Sequence, residues 1–193
     1  MKQLYIFFFC LALVGCQPEY KNPHILIATS FGDIEIELYP DQAPQSVAAF
    51  LRYVDSGYYE NSNFYRVLTD DNQPSNAPKS ELIQGGIWKS KYRLSSKLPG
   101  IAHETTAQTH ILHKNGVISL ARLAPGTANS EFFICVGDQP GFDYGGANNP
   151  DGQGYAAFGK VVKGMDIVRI IYNAPEYDQE LDPFVPIYNI ERL

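Results

Sequence analysis

The chain has 193 residues, of which 45% are hydrophobic and 13% are aromatic. A chain of this length and composition can bury the core of one compact domain. Its formal net charge is −6, and it has no run of lysine or arginine long enough to follow a phosphate backbone. These properties argue against a nucleic-acid partner.

The N-terminal stretch "MKQLYIFFFCLALVGC" has the pattern of a secretory signal peptide. Lys2 precedes an apolar run at residues 4–14 that is too short to span a bilayer. The last four letters resemble the bacterial lipoprotein signal motif, in which small residues precede a lipidated cysteine. We therefore expect a signal peptide at residues 1–15. We expect lipid on Cys16 to anchor the chain to a membrane of the bacterial cell envelope, on the periplasmic side or at the cell surface. The alternative is an ordinary signal peptide with an incidental cysteine.

Cysteine usage agrees with this interpretation. Cys10 would leave with the signal peptide and Cys16 would carry lipid, so only Cys135 would remain in the folded domain. No intramolecular disulfide can then form. Residues 16–23 are polar and contain proline, which predicts a lipidated tether, and the folded domain is predicted at residues 24–193.

The first elements of the domain are predicted to be a β-hairpin and a helix. The stretch "HILIATSFGDIEIELYP" has two β-rich runs around a turn at residues 30–33. The second run alternates apolar and polar residues, which predicts one face in the core and one in water: Ile34, Ile36 and Leu38 against Glu35, Glu37 and Tyr39. The following "APQSVAAFLRYVDSG" predicts an amphipathic helix with Pro44 in its first turn and Gly57 at its end.

The stretch "NFYRVL" places an arginine inside an apolar strand. Strict alternation would put Phe64, Arg66 and Leu68 on one face, with Tyr65 and Val67 on the other. A permanent cation on an apolar face is costly unless it is paired or used. Arg66 is therefore a candidate functional residue, and the ordinary alternative is an arginine that pairs with an acid or extends to solvent.

The rest of the chain predicts mainly β-structure. A polar loop at residues 69–81 precedes a short strand in "LIQGG". Further strands are predicted in "GVISLARL", "NSEFFICVG", "YAAFGKVV" and "VPIYNIERL", and "GMDIVRIIY" predicts a second amphipathic helix. Residues 143–154 predict another long loop, and "AQTHILHKNG" could hold a short helix ended by Gly116. These elements predict a closed antiparallel β-barrel capped by two α-helices.

Five motifs in order resemble the cyclophilin-type peptidyl-prolyl cis-trans isomerases. They are "APQSVAAFLRYVDSGYYENSNFYRV", "LIQGG", "GVISLARLAPGTANSEFFI", "YAAFGKVVKGMDIV" and "VPIYNIERL". The resemblance runs from about residue 24 to residue 193 and includes an arginine after an aromatic pair and a Ser-x-Phe-Phe strand. It implies a cyclophilin-like barrel and an enzyme that rotates X-Pro peptide bonds. Together with the predicted signal peptide and lipid anchor, it leads us to expect exported proteins as the substrates during their folding.

The resemblance also assigns candidate site residues. The catalytic arginine of the family falls on Arg66. The residues that would contact a proline-containing substrate are Leu82, Gln84, Ala121, Glu131, Phe133, Phe142 and Tyr155. Taken alone, each has a plainer interpretation, since Gln84 could cap a turn and Phe133 could be an ordinary core residue.

Several positions depart from the family pattern. Glu131 stands where the family usually has glutamine, and its place on the Phe133 face predicts an ion pair that orients Arg66 but partly neutralises it. We expect this pair to make the enzyme slower than a Glu131→Gln variant. The family's tryptophan position falls near Gly141, which precedes Phe142, and its histidine position falls on Tyr155. The alignment is least certain before Gln84, because the loop at 69–81 is longer than the family's. That loop and residues 143–154 are expected to flank the pocket.

The expected mechanism requires no cofactor. A metal site in "NNPDGQG" is disfavoured because the segment lacks the calcium-loop spacing, and His110 and His113 lack a third ligand. The expected partners are proline-containing polypeptides and, through the N-terminal lipid, a membrane. The chain is expected to be a monomer. The alternative to an enzyme is a catalytically weak module or chaperone that binds proline peptides on the cell envelope.

Overall fold

The computed structural model describes residues 20–193. The predicted signal peptide, Cys16 and the first part of the tether lie outside these residues. Nine strands are present: β1 His24–Thr29, β2 Gly32–Leu38, β3 Ser62–Leu68, β4 Leu82–Gly86, β5 Val117–Leu120, β6 Phe132–Cys135, β7 Ala156–Lys163, β8 Glu176–Tyr177 and β9 Glu180–Arg192. The helices are α1 Pro44–Asp55, α2 Tyr92–Ser95, α3 Thr106–Thr109 and α4 Met165–Tyr172, with a 3-10 turn at Pro140–Phe142.

Eight antiparallel strands close into a barrel. Their order is β1-β2-β7-β5-β6-β4-β3-β9, and β9 pairs back with β1, so the sheet has no open edge at that seam. The ninth strand, β8, pairs only with β9. The predicted fold class is confirmed, because the chain is mainly β and the barrel is closed.

The two predicted amphipathic helices pack their apolar faces against the barrel core. Val47 and Phe50 of α1, and Val168 and Ile171 of α4, are almost completely buried. Helix α1 starts at Pro44 as predicted, where the missing proline N–H leaves no donor unsatisfied. Its first turn lacks a local capping side chain.

The Glu104 carboxylate, far away in sequence, caps helix α1 instead. It accepts hydrogen bonds from the backbone N–H groups of Gln45 at 3.1 Å and Ser46 at 2.8 Å. An anion at this end also complements the partial positive charge of the helix N-terminus. Glu104 thereby ties the start of helix α1 to the loop that precedes α3.

Three local expectations were wrong. The second strand does not have one wet face, because Glu35 is buried between His24 and Lys163. The short helix α3 ends at Thr109, where His110 adopts a left-handed conformation, and it does not continue to Gly116. The last strand starts at Glu180, ahead of "VPIYNIERL", because it also pairs with β8.

Strand β3 also differs from its prediction, because it contains an irregularity. The pairing with β4 joins Phe64 to Gly85 and then Arg66 to Gln84, so Tyr65 is an extra residue in a β-bulge. Phe64 therefore points into the barrel core, whereas Arg66 points outward. The predicted shared face is wrong for Phe64, because a bulge shifts the alternation by one residue, whereas Arg66 and Leu68 both line the outer cavity.

Candidate active site

A cavity of about 330 Å³ lies on the outer face of strands β3, β4, β5 and β6. Its lining includes every residue that the sequence analysis assigned to the site: Arg66, Leu82, Gln84, Ala121, Glu131, Phe133, Phe142 and Tyr155. These residues span 90 positions of the chain, so only the barrel brings them together.

Strand pairing explains how the central residues meet. Arg66 of β3 pairs with Gln84 of β4, Gln84 pairs with Phe133 of β6, and Phe133 pairs with Ser119 of β5. Directly paired residues in adjacent strands place their side chains on the same face, about 5 Å apart. The bulge at Tyr65 is what brings Arg66 into this outward-facing row.

The Arg66 guanidinium is held by two neutral amides. Its Nη1 donates to Oε1 of Gln84 at 3.3 Å, while Nε and Nη2 donate to Oε1 of Gln179 at 3.2 and 2.6 Å. No carboxylate of residues 20–193 forms an ion pair with it. The predicted ion pair between Glu131 and Arg66 is therefore wrong, and no carboxylate of these residues contacts the guanidinium.

Glu131 is occupied by other donors. Its Oε1 accepts hydrogen bonds from the backbone N–H groups of Ile87 and Trp88, both at 2.9 Å, and from the Ser130 hydroxyl at 3.0 Å. Its Oε2 accepts from the Tyr65 hydroxyl at 2.8 Å. Burial raises the pKa of Glu131, and these hydrogen bonds oppose that rise because they favour the charged form.

Glu131 still reaches the catalytic candidate indirectly. The Tyr65 hydroxyl donates to Glu131 and accepts a hydrogen bond from Nε2 of Gln84 at 2.8 Å, and Gln84 in turn accepts from Arg66. Burial and the nearby Glu131 raise the pKa of Tyr65 far above its usual value, so its proton stays in place. This chain of hydrogen bonds fixes which end of the Gln84 amide faces Arg66.

The glycines in "LIQGG" make room for this arrangement. A Cβ atom on Gly86 would lie 2.5 Å from the Glu131 carboxylate, and one on Gly85 would lie 2.8 Å from the Phe64 ring. Any side chain at either position would displace the carboxylate or the core aromatic. The sequence motif is thus a consequence of the close approach of β4 to β6 and β3.

Three aromatic rings form the apolar floor of the cavity. The ring centroids of Phe133, Phe142 and Tyr155 lie 5.1 to 5.2 Å from one another in tilted or edge contacts. Such contacts hold aromatic rings in a fixed geometry. A small apolar ring, such as that of proline, can lie on this floor without losing polar contacts.

A buried histidine supports the floor from below. The His113 ring lies nearly parallel to Phe133, with centroids 6.0 Å apart. Its Nδ1 pairs with Asp143 at 2.8 Å and its Nε2 with the Ser119 hydroxyl at 3.0 Å. This is the order of groups in a hydrolase triad, but Ser119 is fully buried and cannot reach a substrate. Both ring nitrogens are used, which also explains why a buried histidine here is structural.

A second arginine lines the same cavity with different partners. Arg122 makes a two-pronged ion pair with Asp151 at 2.7 and 2.9 Å and donates to the carbonyl of Gly154. Its guanidinium lies over the Tyr155 ring at 5.4 Å. Arg122 lowers the pKa of Asp151 to about 2. The loop at 143–154 is thereby fastened to the edge of the site.

The two long loops support the lining residues without contributing to it. No residue of 69–81 or 143–154 lines the cavity, although all of them belong to the described chain. The loops contact each other through Asn148, which donates to the Ser80 hydroxyl. Loop 69–81 also accepts a hydrogen bond from Gln179 at the carbonyl of Asn72. Loop 69–81 therefore contacts the site through Gln179, and loop 143–154 does so through Arg122 and through Asp143, which pairs with His113.

Four residues that hold the site together, namely Tyr65, His113, Arg122 and Gln179, were not predicted from the sequence. Tyr65 had a visible signal, an aromatic residue directly before the arginine, but strict alternation placed it on the wrong face. Gln179, His113 and Arg122 had none, because each makes its contacts with residues far away in sequence. Over residues 20–193, no group of three His, Cys, Asp or Glu side chains could hold a metal ion. A search of the same residues for a helix able to cross a membrane found none.

Comparisons with known proteins agree on one family. The family model described as "Cyclophilin type peptidyl-prolyl cis-trans isomerase/CLD" matches residues 24–192. A peptidyl-prolyl cis-trans isomerase A of Dickeya dadantii is 35% identical over 161 residues, covering 81% of this chain and 76% of that protein. A peptidyl-prolyl cis-trans isomerase B of Escherichia coli is 33% identical over 141 residues, covering 72% and 78%.

Solved structures support the fold. A cyclophilin-type isomerase of Cryptosporidium parvum superposes with a TM-score of 0.68 at 23% identity, covering 89% of this chain and 97% of that one. A second structure of the same protein, determined in the presence of the dipeptide Ala-Pro, gives a TM-score of 0.67 at 24% identity and covers 87% and 97%. The family match, the relatives and the site geometry lead to one conclusion: this chain belongs to the cyclophilin-type peptidyl-prolyl cis-trans isomerases and is an enzyme of that class.

Proposed function

We propose that the chain catalyses rotation about X-Pro peptide bonds by electrostatic stabilisation of the twisted amide, with Arg66 as the catalytic residue. The observation that carries the proposal is the setting of Arg66 beside an apolar aromatic floor, with two neutral amides and, within the described residues 20–193, no carboxylate as partners. The cavity thus combines a proline-sized apolar surface with an uncompensated cation.

The chemistry of the reaction explains why a cation suffices. Amide resonance gives the peptide C–N bond a rotation barrier of about 18–20 kcal/mol. When the amide twists, resonance is lost and the proline nitrogen gains a lone pair that can accept a hydrogen bond. A guanidinium that donates to this nitrogen stabilises the twisted amide more than the planar one, which lowers the barrier. An acceleration of ~10⁵-fold would require roughly 7 kcal/mol.

The remaining lining residues would bind and orient the peptide. We assign the proline ring to the floor formed by Phe133, Phe142 and Tyr155, because these rings are fixed against one another. Gln84 presents an amide oriented by Tyr65. Ala121 lines the cavity with a small side chain over which an extended backbone can pass, and Leu82 adds an apolar surface.

Isomerase activity is tested by exchange NMR on a short Xaa-Pro peptide. We expect wild-type protein to increase the cis-trans exchange rate and Arg66→Ala to lose most of that increase. Arg169→Ala is the matched control, since Arg169 is exposed on α4 away from the cavity. Absence of catalysis by the wild type, with peptide shifts still perturbed, would instead support the proline-peptide binding module.

The envelope role is a separate part of the proposal. We propose that the enzyme assists the folding of exported proteins from a lipid anchor at Cys16, supported by the "LVGC" motif at the end of a signal-like apolar run. X-Pro bonds otherwise exchange over tens to hundreds of seconds, which is slow enough to limit folding. Mass spectrometry of the N-terminal peptide from envelope fractions is the test, and an unmodified Cys16 in the mature protein would refute the anchor.

A further inference from the structure

Gln179 occupies a backbone position that is unfavourable for glutamine. Tyr177 pairs with Glu180, so Asp178 and Gln179 form a two-residue turn between β8 and β9. Their φ angles are +52° and +71°, in the left-handed region. Turns of this kind favour glycine or asparagine at these positions, because other L-residues are strained at positive φ. An observed outlier of this kind justifies a search for what the side chain does.

The Gln179 side chain is fixed at both ends. Its Oε1 accepts two hydrogen bonds from Arg66, and its Nε2 donates to the carbonyl of Asn72 at 3.1 Å. Its backbone is held as well, because the N–H donates to the Glu176 carboxylate at 2.7 Å and the carbonyl accepts from Val67 at 2.9 Å. The amide therefore has one orientation, with its oxygen toward Arg66.

This arrangement leaves the guanidinium free where a substrate would need it. A guanidinium has five N–H donors, and Gln179 and Gln84 together occupy three of them. The other two, one on each Nη atom, have no hydrogen-bond partner in the part of the chain that the structure describes. Neither amide carries charge, so Arg66 is oriented without being neutralised.

Gln179 also connects the catalytic arginine to the loop at 69–81. Asn72, which accepts from Gln179, is fastened to the end of β3 by its own side chain, which donates to the Val67 carbonyl at 3.1 Å. The same side chain accepts from the Thr69 N–H at 2.9 Å. The start of the loop, the β8–β9 turn and strand β3 thus meet at Gln179.

We infer that Gln179 is a positioning residue for Arg66, and that it sets the direction of the guanidinium while preserving its charge. The inference rests on the proposed function, in which Arg66 is the catalytic residue. It assigns a role to the β8–β9 turn, a part of the chain outside the cavity lining. The orientation of a catalytic group strongly affects the reaction rate, because even a small misplacement weakens its contact with the transition state.

Two substitutions separate orientation from charge. Gln179→Asn keeps an amide and suits a positive φ, but its side chain is one carbon shorter and cannot reach Arg66. Gln179→Glu keeps the side-chain length and the oxygen that accepts from Arg66. Its carboxylate would, however, balance the Arg66 charge, and it cannot donate a hydrogen bond to the Asn72 carbonyl. Asp178→Asn is the matched control, since it changes the neighbouring residue of the same turn without touching Arg66.

The measurements are kcat and KM for a proline peptide, with full-length protein, beside Arg66→Ala. We expect Gln179→Asn and Gln179→Glu each to lower kcat by about tenfold or more while KM changes less than about twofold, because the apolar floor is untouched. Asp178→Asn should stay within about twofold of wild type. Activity of both Gln179 variants within twofold of wild type would overturn the inference.

A second readout does not depend on catalysis. The Arg66 Nε–H resonance in ¹⁵N NMR should be sharp and slow to exchange in wild type, and broadened or lost in Gln179→Asn. If wild type shows no isomerase activity, the proposed function fails, and this resonance still decides the positioning role. An unchanged Arg66 resonance in Gln179→Asn would refute that role even if the enzyme were active.

Discussion

Two arginines line the same cavity, and their partners give them opposite properties. Arg66 donates to the oxygens of Gln84 and Gln179, which carry no charge. Arg122 donates to the Asp151 carboxylate through both terminal nitrogens and also donates to the backbone carbonyl of Gly154. An amide orients a guanidinium without cancelling its field, whereas a carboxylate does both. We therefore expect Arg66 to act on the substrate and Arg122 to hold the structure around it.

The largest predicted difference comes from replacing each arginine by lysine. Arg66→Lys keeps the charge but loses the planar fork that contacts two amides at once. We expect kcat/KM to fall by roughly 100-fold, as is typical when an electrostatic donor to a transition state is displaced. Arg122→Lys should change kcat/KM only about threefold. Similar losses in both variants would remove the distinction between them.

Glu131→Gln tests the hydrogen-bond chain that orients Gln84. An amide nitrogen in place of one Glu131 oxygen must face either the Tyr65 hydroxyl or the backbone N–H groups of Ile87 and Trp88, which are all donors now. We expect the free energy of unfolding to fall by about 1–3 kcal/mol, the cost of leaving a buried donor unsatisfied. We also expect kcat/KM to fall several-fold.

That outcome reverses the expectation from sequence, which was a faster Glu131→Gln enzyme through release of an ion pair with Arg66. Within residues 20–193 no ion pair joins Glu131 to Arg66, so removal of the Glu131 carboxylate cannot free the Arg66 guanidinium from one. Urea denaturation and exchange NMR on the same samples distinguish the two accounts. A Glu131→Gln variant that is as stable as wild type and has a higher kcat would support the expectation from sequence instead.

Asp151→Asn gives Arg122 the kind of partner that Arg66 has. The substitution leaves a neutral acceptor beside the guanidinium, so no carboxylate would balance the Arg122 charge while the loop at 143–154 loosens. We expect faster amide hydrogen exchange in this loop and a change of about twofold in KM, with kcat unchanged. If kcat rose instead, the charge of Arg122 would also be available to the reaction.

The smallest effect on activity is expected from a carboxylate far from the cavity. The Lys163 ammonium, followed by His24, holds the pKa of buried Glu35 below its usual value, whereas burial raises the pKa of Glu131. Glu35 therefore contributes stability that is present above its unfolded pKa of about 4.5 and is lost as the pH falls through its lower folded pKa. The contribution of Glu131 to stability has the opposite pH dependence, because it is lost as the pH rises from about 4.5 through the higher pKa that Glu131 has in the folded state.

Unfolding free energies between about pH 3 and pH 7 test these signs. Glu35→Gln should flatten the acid side of the stability profile and leave kcat/KM unchanged, whereas Glu131→Gln should remove the decline above about pH 4.5. A Glu35→Gln enzyme with lowered kcat/KM would show that the two regions are coupled.

Much of the fold and the site could be predicted from the sequence because the relevant signals are local. Alternation in β6, the 3.6-residue spacing in α1 and α4, and five motifs in the family's order indicated the barrel, and the resemblance carried by those motifs named eight residues that line one cavity. The error at β3 has a physical cause. A β-bulge is one extra residue in one strand, and only the partner strand reveals it.

The sequence by itself indicated an arginine, one amide, an acid and an aromatic floor, whereas the second amide, Gln179, joins them only in the tertiary structure. Which of these groups contact one another was decided by the tertiary structure. The choice between Glu131 and Gln179 as the partner of Arg66 depends on the bulge at Tyr65 and on the turn between β8 and β9, which are brought together only when the barrel closes. A charge in a sequence has no partner until its neighbours are packed, and the partner decides whether the charge can act on a substrate.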